Sequence, residues 1–268
     1  MDNYLDIAIE IARESGALLE QLSSQPHEIS YKRKSDIVTE ADRRSEAMIL
    51  ERLRRHFPGH SIVAEESGVN STGSEYCWYV DPLDGTTNFA HGFPVYCVTL
   101  ALAFRDEVIA GVVYDPNRDE MFAAERGAGA TLNGRRITVS HTADLAESLL
   151  ATGFPPFASN HDLNIQLFFR LTQLSHGIRR PGAAALDLCS VAAGRFEAFW
   201  ELKLNPWDKA AGSLLVAEAG GRVGDLSGGP FSLRRDEICA SNGLIHESLI
   251  EVFSEILEEH GNLKCSQG

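Results

Sequence analysis

The sequence has no Cys-x-x-Cys pair. Its five cysteines, Cys77, Cys97, Cys189, Cys239 and Cys265, are odd in number and scattered. Neither a disulfide framework nor a zinc site is implied, and a reducing compartment, the cytoplasm, is expected. No apolar run approaches the ~20 residues of a membrane span, so no membrane partner is expected. The first residues carry Asp2, Asp6 and Glu10 among apolar ones, which is not the pattern of a signal peptide. Positive charge is also scarce: 24 Lys and Arg against 38 Asp and Glu leave a net charge of −14. That balance argues against a nucleic-acid partner, and it means that any phosphate substrate needs cations in its site. Internal repeats, low-complexity tracts and flexible linkers are absent. What is present, 44% apolar and 23% charged residues in a 268-residue chain, is an ordinary globular composition with room for one large domain.

Leu5, Ala8, Ile9, Ala12, Leu18, Leu19 and Leu22 fall at helical spacing, predicting an amphipathic helix over 4–22 that Gln25-Pro26 breaks. Tyr31-Lys32-Arg33-Lys34 reads as a solvated loop, with a loop over a phosphate site as the alternative. Thr39 with Asp42 three residues on is a helix start. That helix runs to His56-Phe57-Pro58-Gly59, and Asp36 and Asp42 have ordinary capping explanations. Ser61–Ala64 is a short strand ending in Glu65-Glu66, and Gly68 to Glu75 is a polar loop. Phe93 to Phe104 and Val108 to Tyr114 are β-like runs, and Asn133-Gly134 is a hairpin signal, so 93–139 is expected to be an antiparallel meander with one face under helices. The second half alternates, with strands near 148–152, 197–201 and 238–241 and helices near 160–175, 183–194, 207–219 and 243–259. The tail from Gly261 is expected to fray. The expectation is one domain over 1–268, with subdomains of about 1–140 and 141–268 meeting at a site.

The stretch around which the rest is arranged is Asp81-Pro82-Leu83-Asp84-Gly85-Thr86-Thr87-Asn88. The aromatic and β-branched run Tyr76–Val80 before it reads as a buried strand, so two carboxylates arrive at a strand end. Pro82 should stop the ladder there, Gly85 allows a sharp bend, and Thr86-Thr87 can cap the next element. Carboxylates for a hard cation beside exposed amides for an anion suit a metal-assisted phosphate site, although an Asx-type turn would have the same local sequence. Asp208, in the first turn of the helix entered by Pro206-Trp207, has a dipole-stabilising explanation of its own. Together, however, Glu65, Asp81, Asp84 and Asp208 are four carboxylates at element ends, and an oxygen-only set selects Mg2+, Mn2+ or Ca2+ over zinc. An EF-hand is excluded because alternating ligand positions are missing and the twelfth residue from Asp81 is Gly92. A phosphatase with an aspartyl-phosphate intermediate would have Asp-x-Asp, whereas here two residues separate the aspartates. Water is then the expected nucleophile.

Three segments, Ala64-Glu65-Glu66-Ser67, Asp81 to Phe89 and Trp207-Asp208-Lys209-Ala210-Ala211-Gly212, resemble the three signatures of the inositol monophosphatase family, in the family's order. The resemblance extends through Lys34–Thr39, Gly92-Phe93-Pro94 and Gly182–Asp187, and so over nearly the whole chain. It implies an α+β fold, the layered α/β/α/β/α sandwich of the inositol monophosphatase and fructose-1,6-bisphosphatase type. A homodimer, Mg2+ dependence with two or three ions, and lithium sensitivity are implied as well. By the resemblance, Glu65, Asp81, the Leu83 carbonyl, Asp84 and Asp208 bind metal, with Glu66 as a supporting carboxylate. Gly85 and Thr86 offer amides to phosphate, and Thr86 with Asp42 orients a water that Glu65 helps to deprotonate. Ala184, Glu201 and Asp208 face the alcohol half of the substrate. The implied reaction is hydrolysis of a small phosphate ester, myo-inositol 1-phosphate first among them. Fructose-1,6-bisphosphate, NADP(H), histidinol phosphate and 3′-phosphoadenosine phosphates are alternatives within the family, and an adaptor role in transcription-machinery assembly is an alternative outside enzymology. Asp187, where many animal members carry Asn, and Phe154-Pro155-Pro156 depart from the family pattern. Arg179 and Arg180 suit a second phosphate.

Overall fold

The computed structural model describes residues 4–24, 29–33, 36–154 and 163–265. The chain begins with helix α1 (Tyr4–Ser23); of the expected stripe Ala8, Ala12, Leu19 and Leu22 are buried and Leu5, Ile9 and Leu18 only half-buried, while Ile11 and Ser15 turn inward beside them. A hairpin of β1 (Ile29–Arg33) and β2 (Asp36–Thr39) follows. The basic run expected to be a solvated loop is therefore mostly strand, because Ile37 and Val38 supply an antiparallel partner for Tyr31 and Ser30; Lys34 and Ser35 lie outside the described residues. Helix α2 (Glu40–His56) starts as expected: Ala41 N donates to Thr39 Oγ1 at 3.1 Å and Thr39 N to Asp42 Oδ2 at 2.7 Å.

Eight strands then build the large sheet. They are β3 (Ser61–Ala64), β4 (Gly68–Asn70), β5 (Tyr76–Asp84), and, after the short helix α3 (Thr86–Ala90), β6 (Cys97–Phe104) and β7 (Glu107–Asp115). The last three are β8 (Glu120–Glu125), β9 (Gly129–Leu132) and β10 (Arg135–Arg136). Their order is β10-β9-β8-β7-β6-β5-β3-β4, antiparallel except for the parallel pair β3/β5. The polar loop expected after Glu65-Glu66 thus holds a short strand, β4, folded back on β3. The ladder also survives Pro82. It skips Pro82 and Leu83 and resumes with Asp84 opposite Cys97, a bulge that accommodates a residue without an N–H.

The second half supplies β11 (Leu149–Thr152), α4 (Leu163–Thr172), β12 (Gly177–Arg179), α5 (Ala184–Ala192) and β13 (Ala198–Leu202). It ends with α6 (Pro206–Glu218), β14 (Arg222–Gly224), β15 (Glu237–Ser241) and α7 (His246–Cys265). The small sheet runs β12-β11-β13-β15-β14. Its three-residue strands β12 and β14 are too short to show in a hydrophobic pattern. Helix α7 continues through Gly261 to Cys265, where fraying was expected.

Three cores define the layers. One lies between α1, α2 and the large sheet, a second surrounds α5 and α6 between the two sheets, and a third joins the small sheet to α4 and α7. This is an α/β/α/β/α sandwich. In β6, Val98, Leu100 and Leu102 belong to the first core, whereas Cys97, Ala101 and Ala103 belong to the second. The meander is therefore covered on both faces, not on one, which is why its apolar runs are unbroken. Cys77, Cys97, Cys189 and Cys239 are free thiols.

Candidate active site

The C-terminal ends of β3 and β5 and the N-terminal ends of α5 and α6 meet at one open cleft of about 500 Å3. Glu65 reaches it just after β3, Asp81, Leu83 and Asp84 from the bulged end of β5, and Asp208 from the first turn of α6. Each aspartate is fixed by a main-chain donor: Leu83 N donates to Asp81 Oδ1 at 2.9 Å, Ala185 N to Asp84 Oδ2 at 2.8 Å, and Asn205 N to Asp208 Oδ2 at 2.7 Å. Thr99 Oγ1 donates to Trp207 O at 3.1 Å, which ties the start of α6 to β6. Gly85 turns the chain at φ +93°, and a Cβ there would stand 2.7 Å from Val95 O, so both its backbone angle and its close neighbour require glycine. It precedes α3 as N-cap. Thr86, expected to cap this helix, is its first residue; its hydroxyl lies 2.9 Å from Asp42 Oδ1 and 3.0 Å from Leu83 O.

Gly85, Thr86 and Ala184 line the same cleft. Asp42 is fully buried and meets the cleft only through Thr86. Glu66 is not among the lining residues; its amide is engaged instead, donating to Glu46 Oε2 at 2.8 Å. Glu201 is buried behind the wall, packed so closely on Gly153 that a Cβ there would collide with its carboxylate. Arg180 lines the cleft and Arg179 does not. Pro155 and Pro156 lie outside the described residues. Sequence reading passed over Lys203 and Asn88. Lys203 lines the cleft just before the Asp208 motif, with φ +67°. Asn88 Nδ2 donates to Val95 O at 2.8 Å and Pro181 O at 2.9 Å, joining the α3 loop to the loop before α5. The position of Asn88 inside the Asp81 stretch was the available signal.

Burial, followed by the charges of Glu65, Asp84 and Asp208, pushes the Asp81 carboxyl well above the usual range. Burial raises Asp84 to about 7, with Glu65 adding to the rise and the Ala185 amide opposing it. Asp208 is raised to about 8, by burial and then by Asp84. Glu201 also reaches about 8, by burial and then by Asp208 and Asp84, against Arg180. Burial lifts Asp187 well above the usual range, and Glu201 adds to it. Burial raises Asp42 too, against its hydrogen bonds from Thr39 and Thr86. The cluster is thus a set of mutually repelling oxygens in which a cation would be strongly favoured over the bare anions.

A profile of the inositol monophosphatase family matches residues 1–258. The chain belongs to the inositol monophosphatase family. The family's inositol-1-monophosphatase of Synechocystis sp. is 46% identical over 257 residues, covering 95% of this chain and 90% of that protein. The Nus factor SuhB of Pseudomonas aeruginosa is 44% identical, with 93% of this chain and 95% of that one aligned. Among solved structures, the inositol monophosphatase of Anabaena (Nostoc) sp. superposes with a TM-score of 0.84 at 44% identity, covering 94% of this chain and 95% of that chain. This is a phosphoric monoester hydrolase fold and family, and the family is generally metal-dependent. The donor set at the cleft fits a metal: all oxygen, negatively charged and pinned by main-chain amides. Among the described residues no three His, Cys, Asp or Glu side chains close into a cage. An ion here would complete its shell with carbonyl, water or substrate oxygens.

Proposed function

We propose that this protein hydrolyses a small phosphate monoester, myo-inositol 1-phosphate or a close polyol phosphate, with Mg2+ as cofactor. The observation that carries the reading is the meeting of Glu65, Asp81, Asp84 and Asp208 at one cleft beside the Thr86–Asp42 hydrogen bond. Glu65, Asp81, the Leu83 carbonyl, Asp84 and Asp208 would hold two or three Mg2+ ions. Bound there, Mg2+ supplies the positive charge that draws in phosphate, acidifies water and offsets charge on the leaving oxygen. Thr86, oriented by Asp42, positions the attacking water, and Glu65 takes its proton. Gly85 and Thr86 hold phosphate oxygens through their amides, while Ala184 and Asp208 face the alcohol, with Glu201 behind them. With Arg180 and Lys203 at the same cleft, the substrate side offers cations to a second anionic group as well. The reading includes a cytoplasmic homodimer sensitive to lithium.

The test is phosphate release from a panel containing inositol 1-phosphate, fructose 1,6-bisphosphate, NADP, histidinol phosphate and 3′-phosphoadenosine phosphates, with and without Mg2+. Inositol 1-phosphate should be the best substrate, and only with Mg2+. A preference for fructose 1,6-bisphosphate would move the assignment to the sugar-bisphosphatase branch, with Arg180 as the second-phosphate residue. The similarity to proteins named Nus factor SuhB favours a second reading, an adaptor in transcription-machinery assembly. Inactivity on every ester would support it.

A further inference from the structure

Helix α2 turns a polar stripe inward. Asp42, Ser45 and Glu46 follow i, i+3, i+4 spacing and are all buried, with exposures of 0%, 0% and 4%. Each grips a different segment at or beside the cleft. Asp42 holds Thr86. Ser45, which takes a hydrogen bond from Ser15 at 2.6 Å, donates to Pro82 O at 2.9 Å inside the β5 bulge. Glu46 accepts from two successive amides, Glu66 N to Oε2 at 2.8 Å and Ser67 N to Oε1 at 2.9 Å. Those amides belong to the three-residue turn that joins β3 to β4, which closes through Gly68 at φ +75°. Glu65 is the first residue of that turn, and on its other side its amide is held by Val80 O at 3.2 Å.

The geometry points to Glu46 as a positioning residue: by clamping the Glu66 and Ser67 amides it fixes the turn that presents Glu65 to the cleft, and so sets the affinity of the site for its divalent cation. Glu46 itself does not line the cleft. A carboxylate suits this task because it alone offers two acceptors at the spacing of consecutive N–H groups, and charge-assisted bonds of this kind are the strong ones. The inference rests on the reading of Glu65 as a metal ligand given above.

The test is calorimetric titration of Mg2+ into the substrate-free protein, with the Tm in EDTA as a parallel readout, for wild type, Glu46→Gln and Gly68→Ala. Gln offers one acceptor oxygen to two amides, so the Mg2+ dissociation constant should rise about 10-fold, with kcat at saturating Mg2+ within about 3-fold of wild type. Gly68→Ala strains the same turn without changing charge, since a Cβ there meets open space but φ is +75°. It should weaken Mg2+ in the same direction, and it carries the test alone if Glu46→Gln does not fold. A lower Tm in EDTA with unchanged Mg2+ affinity would make Glu46 merely structural and overturn the inference. A weakened Glu46→Gln beside an unchanged Gly68→Ala would do the same, because lost charge, not turn geometry, would then be the cause. Wild type that binds no Mg2+ would overturn the underlying reading of the cleft, and this inference with it.

Discussion

Glu201 and Glu46 are both buried glutamates near the cleft, and they differ in what faces them. Glu46 is satisfied by two amides, whereas Glu201 lies against Gly153 among the charges of Asp208, Asp84 and Arg180. In the proposed function Glu201, which stands behind the cleft wall, takes the substrate hydroxyls. Replacing it with Gln removes a charge-assisted hydrogen bond worth roughly 1.5–3 kcal/mol, or about 10- to 150-fold in kcat/KM. The expected outcome is that loss on inositol 1-phosphate with little change on p-nitrophenyl phosphate, which has no polyol to grip. Equal losses on both substrates would assign Glu201 to the metal cluster or the fold. Glu65, Asp81, Asp84 and Asp208 were readable because each sits in a short motif at an element end. Glu46 and Ser45 were not, because Glu40-Ala41-Asp42-Arg43-Arg44-Ser45-Glu46 reads as an exposed polar helix face, and only tertiary packing shows which of those residues turn inward.

At the scale of elements, α6 determines where Asp208 stands, and α6 is held by close approaches on two sides. Gly111 of β7 faces Ala211, where an added Cβ would meet Ala211 Cα at 3.0 Å and its carbonyl oxygen at 3.1 Å. On the other side a Cβ at Gly212 would come within 2.5 Å of Leu188 on α5. Because the obstacle at Gly111 is backbone, α6 itself must shift, and Gly111→Ala should cost about 1–3 kcal/mol. Thermal unfolding checks this: Tm should fall by several degrees and Mg2+ should protect less than in wild type. An unchanged Tm would mean that the α6–sheet spacing is slack. The small residues of Ala210-Ala211-Gly212 signalled close packing in the sequence. The identity of the partners did not show, since Gly111 lies 100 residues away in an ordinary apolar run. The bulge at Pro82 was hidden for a related reason: proline removes a ladder donor, but the bulge lets the strand pass around the gap.

For the molecule as a whole, the carboxylate cluster links stability to pH and, on the proposed reading, to metal. Asp84 at about 7, Asp208 and Glu201 at about 8, and Asp81 well above its ordinary value bind protons in the folded state that the unfolded chain, with carboxyls near 3.8 to 4.5, has lost. The folded state therefore holds more protons between about pH 4 and pH 8, and metal-free stability must fall as pH rises through that window. Lys209, lowered to about 8 by burial, reverses the sign only above that point. If the cluster holds Mg2+ as proposed, the ion competes with those protons, and the difference between Tm with Mg2+ and Tm with EDTA should widen from pH 5 to pH 8. A gap that is constant or largest at low pH would contradict the cluster electrostatics. The layered order of helices and sheets was legible through family resemblance more than through periodicity, because strands covered on both faces lose the alternation that marks a buried side. The most direct test of the central claim is phosphate release from myo-inositol 1-phosphate across a Mg2+ titration, for wild type and Asp84→Asn. Wild type should fall to background in EDTA. Asp84→Asn, folded by its Tm in EDTA, should lose more than about 100-fold in kcat at saturating Mg2+. A variant that keeps near wild-type kcat would show that the cleft carboxylates are not the metal site.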